Sequence, residues 1–463
     1  MRFTYIKKVR PSLTTKRMKR KLCYHTLQLS LLHFLVDGIC ACGVMMMSHQ
    51  IVSDFEANGI IVLYNVLAFG TQPLTGRWVD KNGVCSQGPK LAIVLLIAGA
   101  VVCSISISHT IFIAVPGVIL LGMGNSFFHV YGGKYLAVVS HNDIRVMGIF
   151  VSTGAVGLAI GLGFSTQMLL VAFLLSFLVV SYLHLHNVYG QETNITTIPS
   201  SFKRTSEQPL TTIPILFLSC LMLAVAGRAF IGESVPSLRW VLHSMGAPWV
   251  MVMVSIIVMA GKAAGGFMSK WWGVRNVFYA SMLLSGTTFI MSPWHDGFVL
   301  TTLFLINISM PCTLYWATKA VPGREGWGFG LLAMALLPGF LLGILTKHDA
   351  TCQALLVPLM ATILLESFLL LCIQEHRWKV LAISVLLNVL TNVPLNIFVM
   401  AYEVTSPLNL IGLECLVVVV EFIGYWLVLN DRRRAFKYSF ACNTFSAIIG
   451  FLCQLFFPDF CYC

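Results

Sequence analysis

Long apolar segments, repeated along almost the whole chain, are the feature that most constrains its fold. A helix of about 20 apolar residues crosses the hydrocarbon core of a bilayer, and the sequence contains fifteen candidate spans. They lie near 27–51, 58–74, 90–107, 110–138, 147–166, 168–186, 213–233, 247–265, 275–292, 298–320, 326–345, 353–373, 379–401, 408–429 and 437–457. Only 10% of the residues are charged, against about 25% in soluble domains. The sequence therefore predicts an all-α polytopic membrane protein.

The placement of basic residues predicts the orientation of these spans. Nine of the 30 Lys and Arg residues lie in the first 21 positions, and such a tail stays in the cytoplasm by the positive-inside rule. Basic residues recur on every second connection, and only Arg239 and Lys347 fall on outside connections. The net charge of +12 thus reflects topology, and we expect no nucleic-acid partner. We expect an integral protein of a bacterial inner (plasma) membrane, with the N-terminus cytoplasmic and the C-terminus outside.

A short motif occurs twice, each time on a connection between two spans. The first copy contains Gly76, Asp80, Lys81 and Gly83, and the second contains Gly266, Lys270 and Gly273. A chain built from two related halves is typical of secondary transporters. The expected organisation is a basic cytoplasmic tail (1–24), a six-helix bundle (25–187), a cytoplasmic linker (188–212), a second six-helix bundle (213–374) and an extra three-helix membrane module (375–463).

The motif at 76–83, Gly-x-x-x-Asp-Lys-x-Gly, resembles the signature between helices two and three of the major facilitator superfamily. The pattern His33-Phe34-x-x-Asp37 and the run GMGNSFFH are similar to its fosmidomycin-resistance-type branch. The resemblance covers about residues 25–373 and implies two pseudo-symmetric six-helix bundles. The three C-terminal spans exceed the family's usual twelve, and Val84-Cys85-Ser86 replaces its basic run. The resemblance also implies an inner gate, in which Asp80 docks at a neighbouring helix end in the outward-facing state. Arg145 lies on the next inside connection, and we predict that it is the partner of Asp80.

Asp37 and Arg228 are the strongest candidates for a transport site. An ionisable side chain inside a span is costly and marks function by default. The first helices of the two halves face each other in the family, so we predict that Asp37 and Arg228 line the central cavity and interact. Asp37 would carry the proton, and His33, four residues earlier on the same helical face, would orient or share it. The alternative for Asp37 and Arg228 is a purely structural ion pair. The alternative for His33 is a packing role.

Residues predicted to bind substrate surround the same cavity. Arg228 would bind an anionic group, and polar or aromatic side chains would suit an amphipathic organic molecule. These other candidates are Asn125, His129, Thr313, Tyr315 and Trp316. Packing between helices is the alternative role for the aromatic residues.

The last three spans carry a separate polar set. Its members are Asn388, Asn392, Asn396, Glu414, Glu421 and Asn443. Such groups must face each other or water and not lipid. We predict a hydrogen-bonded core that fixes helix packing, with an ion path as the alternative. Glu366, near the end of span twelve, fits either block.

The sequence predicts a proton-coupled secondary transporter that exports small organic molecules, anionic or drug-like, by alternating access. The chain contains no GxxxxGK[ST] phosphate-binding loop and no CxxC pair, so we expect no cofactor, no metal and no enzymatic activity. A small-molecule substrate, protons and the lipid bilayer are the expected partners. An importer of an organic acid or other nutrient is the alternative, as is a non-transporting sensor or enzyme that uses the C-terminal module.

Overall fold

The structure is a computed structural model of the 463-residue chain. It describes residues 13–51, 54–82, 88–105, 111–189, 212–234, 246–348 and 407–456, with scattered positions between 362 and 395. Gly83, Asn392, Asn396, the first half of the predicted tail and most of the predicted linker lie outside the described residues.

The described residues are helical apart from short turns, and they contain no strand. The first helices are α1 (Leu13–Gln50), α2 (Asp54–Asn65), α3 (Gln72–Asn82), α4 (Gly88–Ile105), α5 (Ile111–Val139), α6 (Ile144–Gly163) and α7 (Gln167–Tyr189). They are followed by α8 (Thr212–Ser234), α9 (Ala247–Trp272), α10 (Val274–Met291), α11 (Asp296–Ala320), α12 (Glu325–Met334), α13 (Leu336–His348), α14 (Pro407–Leu429) and α15 (Arg432–Phe456). The predicted all-α class is confirmed.

Among the described residues, nine helical segments are long and apolar enough to cross a membrane. The total of fifteen spans stays a prediction, as do the orientation and the position of both termini. The second predicted span is broken, because a π-helical turn at Val66–Gly70 separates α2 from α3. π-helical turns inside helices occur frequently at functional sites, and this one follows Tyr64, whose hydroxyl belongs to the site described below.

The chain divides into two compact units. The first comprises Met1–Gln208, Ser237–Ser285 and Ser292–Met334, and the second comprises Pro209–Pro236, Gly286–Met291 and Ala335–Cys463. The predicted division into two six-helix bundles and a C-terminal module stays a prediction.

In the first unit, α1 and α6 approach closely through small residues. A Cβ atom at Gly157 would overlap the backbone carbonyl of Phe34, and one at Gly161 would lie 2.6 Å from the carbonyl oxygen of Gly38. Small residues allow two helix backbones to approach in this way. The approach brings the backbone of α6, including the carbonyl of Phe150, beside the polar residues of α1.

Candidate functional site

A buried polar cluster lies between α1 and α5 in the first unit. His33 and Asp37 are four residues apart on α1, and Asn125 and His129 are four apart on α5, so each pair shares one helical face. His33 Nε2 lies 3.3 Å from Asp37 Oδ2, and His129 Nε2 lies 3.4 Å from Asp37 Oδ1. The two Nε2 atoms are 2.8 Å apart. The amide of Asn125 donates to Asp37 Oδ1 at 3.3 Å.

The backbone fixes the tautomer of both histidines. His33 Nδ1 lies 2.7 Å from the carbonyl oxygen of Phe150, and His129 Nδ1 lies 3.0 Å from that of Asn125. A carbonyl oxygen only accepts, so each Nδ1 carries a proton and donates it. Each Nε2 atom of a neutral ring is then an acceptor. The two Nε2 acceptors and the Asp37 carboxylate lie together, and the lone pairs of the two Nε2 atoms repel each other. An additional proton on either Nε2 atom replaces this repulsion with a hydrogen bond between the rings.

His33, Asp37 and His129 also form the one group among the described residues whose ligand atoms could hold a metal ion, lying within 4.8 Å of one another. Zinc bonds to nitrogen are about 2.0–2.1 Å long, which places two tetrahedral nitrogen ligands about 3.3 Å apart. The observed 2.8 Å between the ring nitrogens is shorter and matches a hydrogen bond. The spacing therefore favours a shared proton over a metal ion.

Asn125 connects the cluster to the second predicted span and leaves an acceptor open. Its amide nitrogen donates to the Tyr64 hydroxyl at 3.1 Å. Its Oδ1 atom is buried and has no hydrogen-bond partner within the described part of the chain. A buried acceptor without a donor is costly, so Asn125 Oδ1 is suited to receive a donor from a bound molecule.

Lys262 is a member of this site that the sequence prediction missed. From the sequence, Lys262 lies three residues before the end of the predicted span 247–265, where a lysine side chain is expected to reach the membrane surface. Helix α9 instead continues to Trp272, which places Lys262 well inside the helix. Its charge acts on both Asp37 and His129. The charge of Lys262, from the second half of the sequence, thus acts on acceptors in the first half.

Gly154 on α6 has no room for a side chain, because a Cβ atom there would overlap Asp37 Oδ2 and His33 Nε2. We expect Gly154→Ala to push the two side chains apart and to cost about 1–3 kcal/mol by overpacking. Thermal unfolding in detergent measures the loss. Gly286→Ala is the matched control, since a Cβ there meets nothing within 4 Å. Equal melting temperatures for the two variants would contradict the close contact.

Arg228 lies on α8 in the second unit and is buried, with 6% of its surface exposed. Its pairing with Asp37 stays a prediction. The other predicted substrate contacts lie on α11: Thr313 is buried, Tyr315 contacts Lys319 through its ring, and Trp316 packs edge-on against Phe278. A role of these three residues in substrate binding stays a prediction.

Asp80 lies at the N-terminus of α12. Its carboxylate accepts hydrogen bonds from the backbone N–H groups of Gly326 at 2.9 Å and Trp327 at 2.8 Å. The Lys134 ammonium lies 2.7 Å from Asp80 Oδ1. Gly76 allows the approach, because a Cβ there would overlap the carbonyl of Gly326. A helix N-terminus stabilises an anion, so Asp80 fastens α3 to α12.

The second motif copy also approaches the start of a helix. Gly266 packs against the start of α6, where a Cβ would lie 2.8 Å from the carbonyl oxygen of Ile144. Lys270 acts on Asp143, which caps the N-terminus of α6. A hydrogen bond from the Arg145 guanidinium lowers the pKa of Asp143. The sequence prediction that Arg145 is the partner of Asp80 differs from the structure, because Asp143 lies two residues away and pairs with Arg145 locally.

The described part of the C-terminal polar set forms a core around two glutamates. Glu366, Asn388, Glu421 and Asn443 are buried and hydrogen-bonded to one another in pairs. Glu366 therefore belongs to this block. Glu414 does not, since it is exposed on α14. Glu414 and Glu421 point to the same side of the helix. They are seven residues apart, however, which separates them by about 10 Å along the helix axis.

No family model matches the sequence, and no curated protein is similar to it in sequence. Solved structures do match. A crystal structure of a single-residue variant of the E. coli fucose:proton symporter, FucP, has a TM-score of 0.53 at 12% identity and covers 71% of this chain and 93% of that one. The chain has the major facilitator fold. A structure of the major facilitator superfamily transporter FucP in the outward conformation gives 0.54 at 13% identity, covering 70% and 92%.

Proposed function

We propose that the protein is a proton-coupled secondary active transporter that works by alternating access in a bacterial inner membrane. The observation that carries the proposal is the convergence of His33, Asp37 and His129, whose facing acceptors require one positive species. The 2.8 Å spacing suits a proton. The cluster is buried between helices of a fold whose solved examples include transporters.

Export by exchange with protons follows from the acceptors that the site offers. A substrate that donates hydrogen bonds competes with the proton for Asp37 and the two ring nitrogens, and Asn125 Oδ1 is ready to accept from it. Because proton and substrate cannot occupy the same acceptors, they move in opposite directions. The expected cargo is a small organic, drug-like molecule with donor groups.

Import of an organic acid is the second candidate, and the position of Lys262 favours it. While Asp37 is charged, it competes for the Lys262 ammonium, and protonation of Asp37 frees that ammonium for an anion. Proton and anion then bind together and move in the same direction. Arg228, on the prediction that it also faces the cavity, would strengthen this coupling.

The experiment that tests both candidates is solute flux in vesicles with purified protein. A thermal-stabilisation screen of organic acids, amines and phosphonates first supplies a solute. Accumulation in vesicles with an acidic lumen identifies exchange, and accumulation from an acidic exterior identifies symport. Stabilising solutes that move under neither gradient overturn the proposal, and chemical conversion without movement identifies an enzyme.

Lys262→Gln distinguishes anionic from neutral cargo. A charged hydrogen bond contributes about 1.5–3 kcal/mol, so we expect the affinity for an anionic solute to fall at least about tenfold. The affinity for a neutral solute should stay unchanged, as should both affinities in the control Lys437→Gln, whose side chain is exposed. Thermal-shift titration measures these constants. Equal losses for anionic and neutral solutes would indicate damage to the fold and contradict a role in charge recognition.

A further inference from the structure

The C-terminal helices repeat a polar motif that the proposed transport site does not use. Three residues of the motif recur after 55 positions. The first copy contains Glu366, Ser384 and Asn388, and the second contains Glu421, Ser439 and Asn443. Arg377, which lies outside the described residues, recurs as Arg432, the first residue of α15. The sequence therefore predicts two tandem helical hairpins, each with Glu on its first helix and Ser-x-x-x-Asn on its second.

The structure forms the same asparagine contacts in both copies, whereas the serine hydroxyls differ: Ser384 donates to Glu366 Oε2 and Ser439 to the carbonyl of Val418. Asn388 donates to Glu366 Oε2 at 2.6 Å, and Asn443 donates to Glu421 Oε2 at 2.6 Å. Each asparagine also donates to the carbonyl of the serine four residues earlier, at 3.0 Å and 2.9 Å. Matching distances at matching positions indicate that the two hairpins fold alike.

The apolar packing around these residues is duplicated as well. One buried cluster contains equivalent residues from both copies. They are Leu370 with Tyr425, Val380 with Ala435, and Leu387 with Cys442. Thr391 of the first copy donates to Glu421 Oε1 of the second at 3.2 Å. The two hairpins therefore face each other around their carboxylates, as parallel repeats do in transporters.

The two carboxylates share a buried site in which the charges acting on them, within the described part of the chain, are negative. Glu366 and Glu421 are both 0% exposed. The charges that act most on Glu366 are those of Glu421 and Glu414, which are carboxylates too. The other titratable groups that act with the pair, Tyr425 and Cys442, carry no positive charge. Two neighbouring carboxylates in a dry site cannot both be charged without a cation.

We propose that Glu366 and Glu421 share one exchangeable monovalent cation, a proton or a sodium ion, at the centre of a duplicated four-helix module. Glu366 Oε1 is buried and accepts no hydrogen bond from the described residues, so it is the primary ligand. The asparagine amides and the Thr391 hydroxyl hold the other carboxylate oxygens in place. This site is distinct from the His33–Asp37 cluster of the first unit.

Labelling with dicyclohexylcarbodiimide tests the proposal, because this apolar reagent attacks protonated carboxyl groups buried in membrane proteins. Purified full-length protein is labelled between about pH 5 and pH 9, a range that spans the shifts found for buried carboxyls. Sodium and potassium arms are run in parallel, and peptide mass spectrometry locates the label. We expect modification of Glu366 or Glu421 but not of Glu414, which is exposed.

The sodium and potassium reactions show whether the bound cation is a proton or a sodium ion. A proton site loses the label as the pH rises, equally in both salts, whereas a sodium site is protected by sodium and not by potassium. In Glu421→Gln, the remaining Glu366 should lose its label at a lower pH, because its like-charged neighbour is gone. Labelling that is absent, or that ignores pH and both salts, overturns the proposal. Asp37→Asn should leave the labelling unchanged, so this experiment tests the cation site independently of the proposed transport function.

Discussion

Asp37→Asn is expected to abolish solute accumulation against a gradient while downhill movement of the same solute continues. Asparagine resembles the protonated carboxyl in shape, but it cannot release a proton. The carrier can therefore still bind solute and change conformation, although the proton gradient no longer drives it. In vesicles with an imposed pH gradient, solute uptake should fall to the equilibrium level that the unmodified protein reaches without a pH gradient. Exchange of labelled for unlabelled solute at equal pH should persist.

The control for this substitution is Asp431→Asn, which makes the same chemical change between α14 and α15, where the Asp431 side chain is 45% exposed. It should leave gradient-driven uptake unchanged. Uphill transport that survives Asp37→Asn would show that the coupling proton binds elsewhere. Simultaneous loss of exchange would instead show that solute binding itself requires the negative charge of Asp37.

The helical faces of the site could be predicted from sequence, whereas its contacts could not. The spacings His33–Asp37 and Asn125–His129 are local consequences of the α-helix. The 2.8 Å contact between the two rings joins residues 96 positions apart. It depends on how α1 packs against α5 and α6, and single-sequence periodicity contains no such information. Tyr64 was missed for the same reason.

Two predictions differ from the structure. One difference comes from a helix that ends later than predicted, and the other from an ion pair with a residue nearer in sequence. Lys262 was placed at a surface because hydropathy ended its span at 265, yet α9 continues to Trp272. Arg145 was predicted to pair with Asp80, but it forms its ion pair with the cap residue Asp143, which is nearer in sequence. The 55-residue repeat of the last helices was visible in the sequence, but only the paired Glu–Asn contacts make its four shared residues recognisable as a motif.

Asp80→Asn is expected to open the contact between α3 and α12. The carboxylate pairs with Lys134 at 2.7 Å and accepts from two backbone N–H groups, and 8% of its side chain is exposed. Removing one partner of a buried ion pair costs about 3–5 kcal/mol, because the other charge stays buried and uncompensated. We therefore expect hydrogen exchange at the amides of Gly326 and Trp327 to accelerate by about two to four orders of magnitude. Peptide-resolved exchange mass spectrometry measures this directly.

Lys81→Gln is the matched control, since it removes the neighbouring charge of the same motif from an exposed position. Its exchange rates should equal those of the unmodified protein. The double variant Asp80→Asn with Lys134→Met should recover part of the lost protection, because it also removes the uncompensated ammonium. Recovery would assign the cost to the ion pair. Protection that is unchanged in Asp80→Asn alone would mean that the glycine-mediated backbone approach of Gly76, and not the carboxylate, holds α3 against α12.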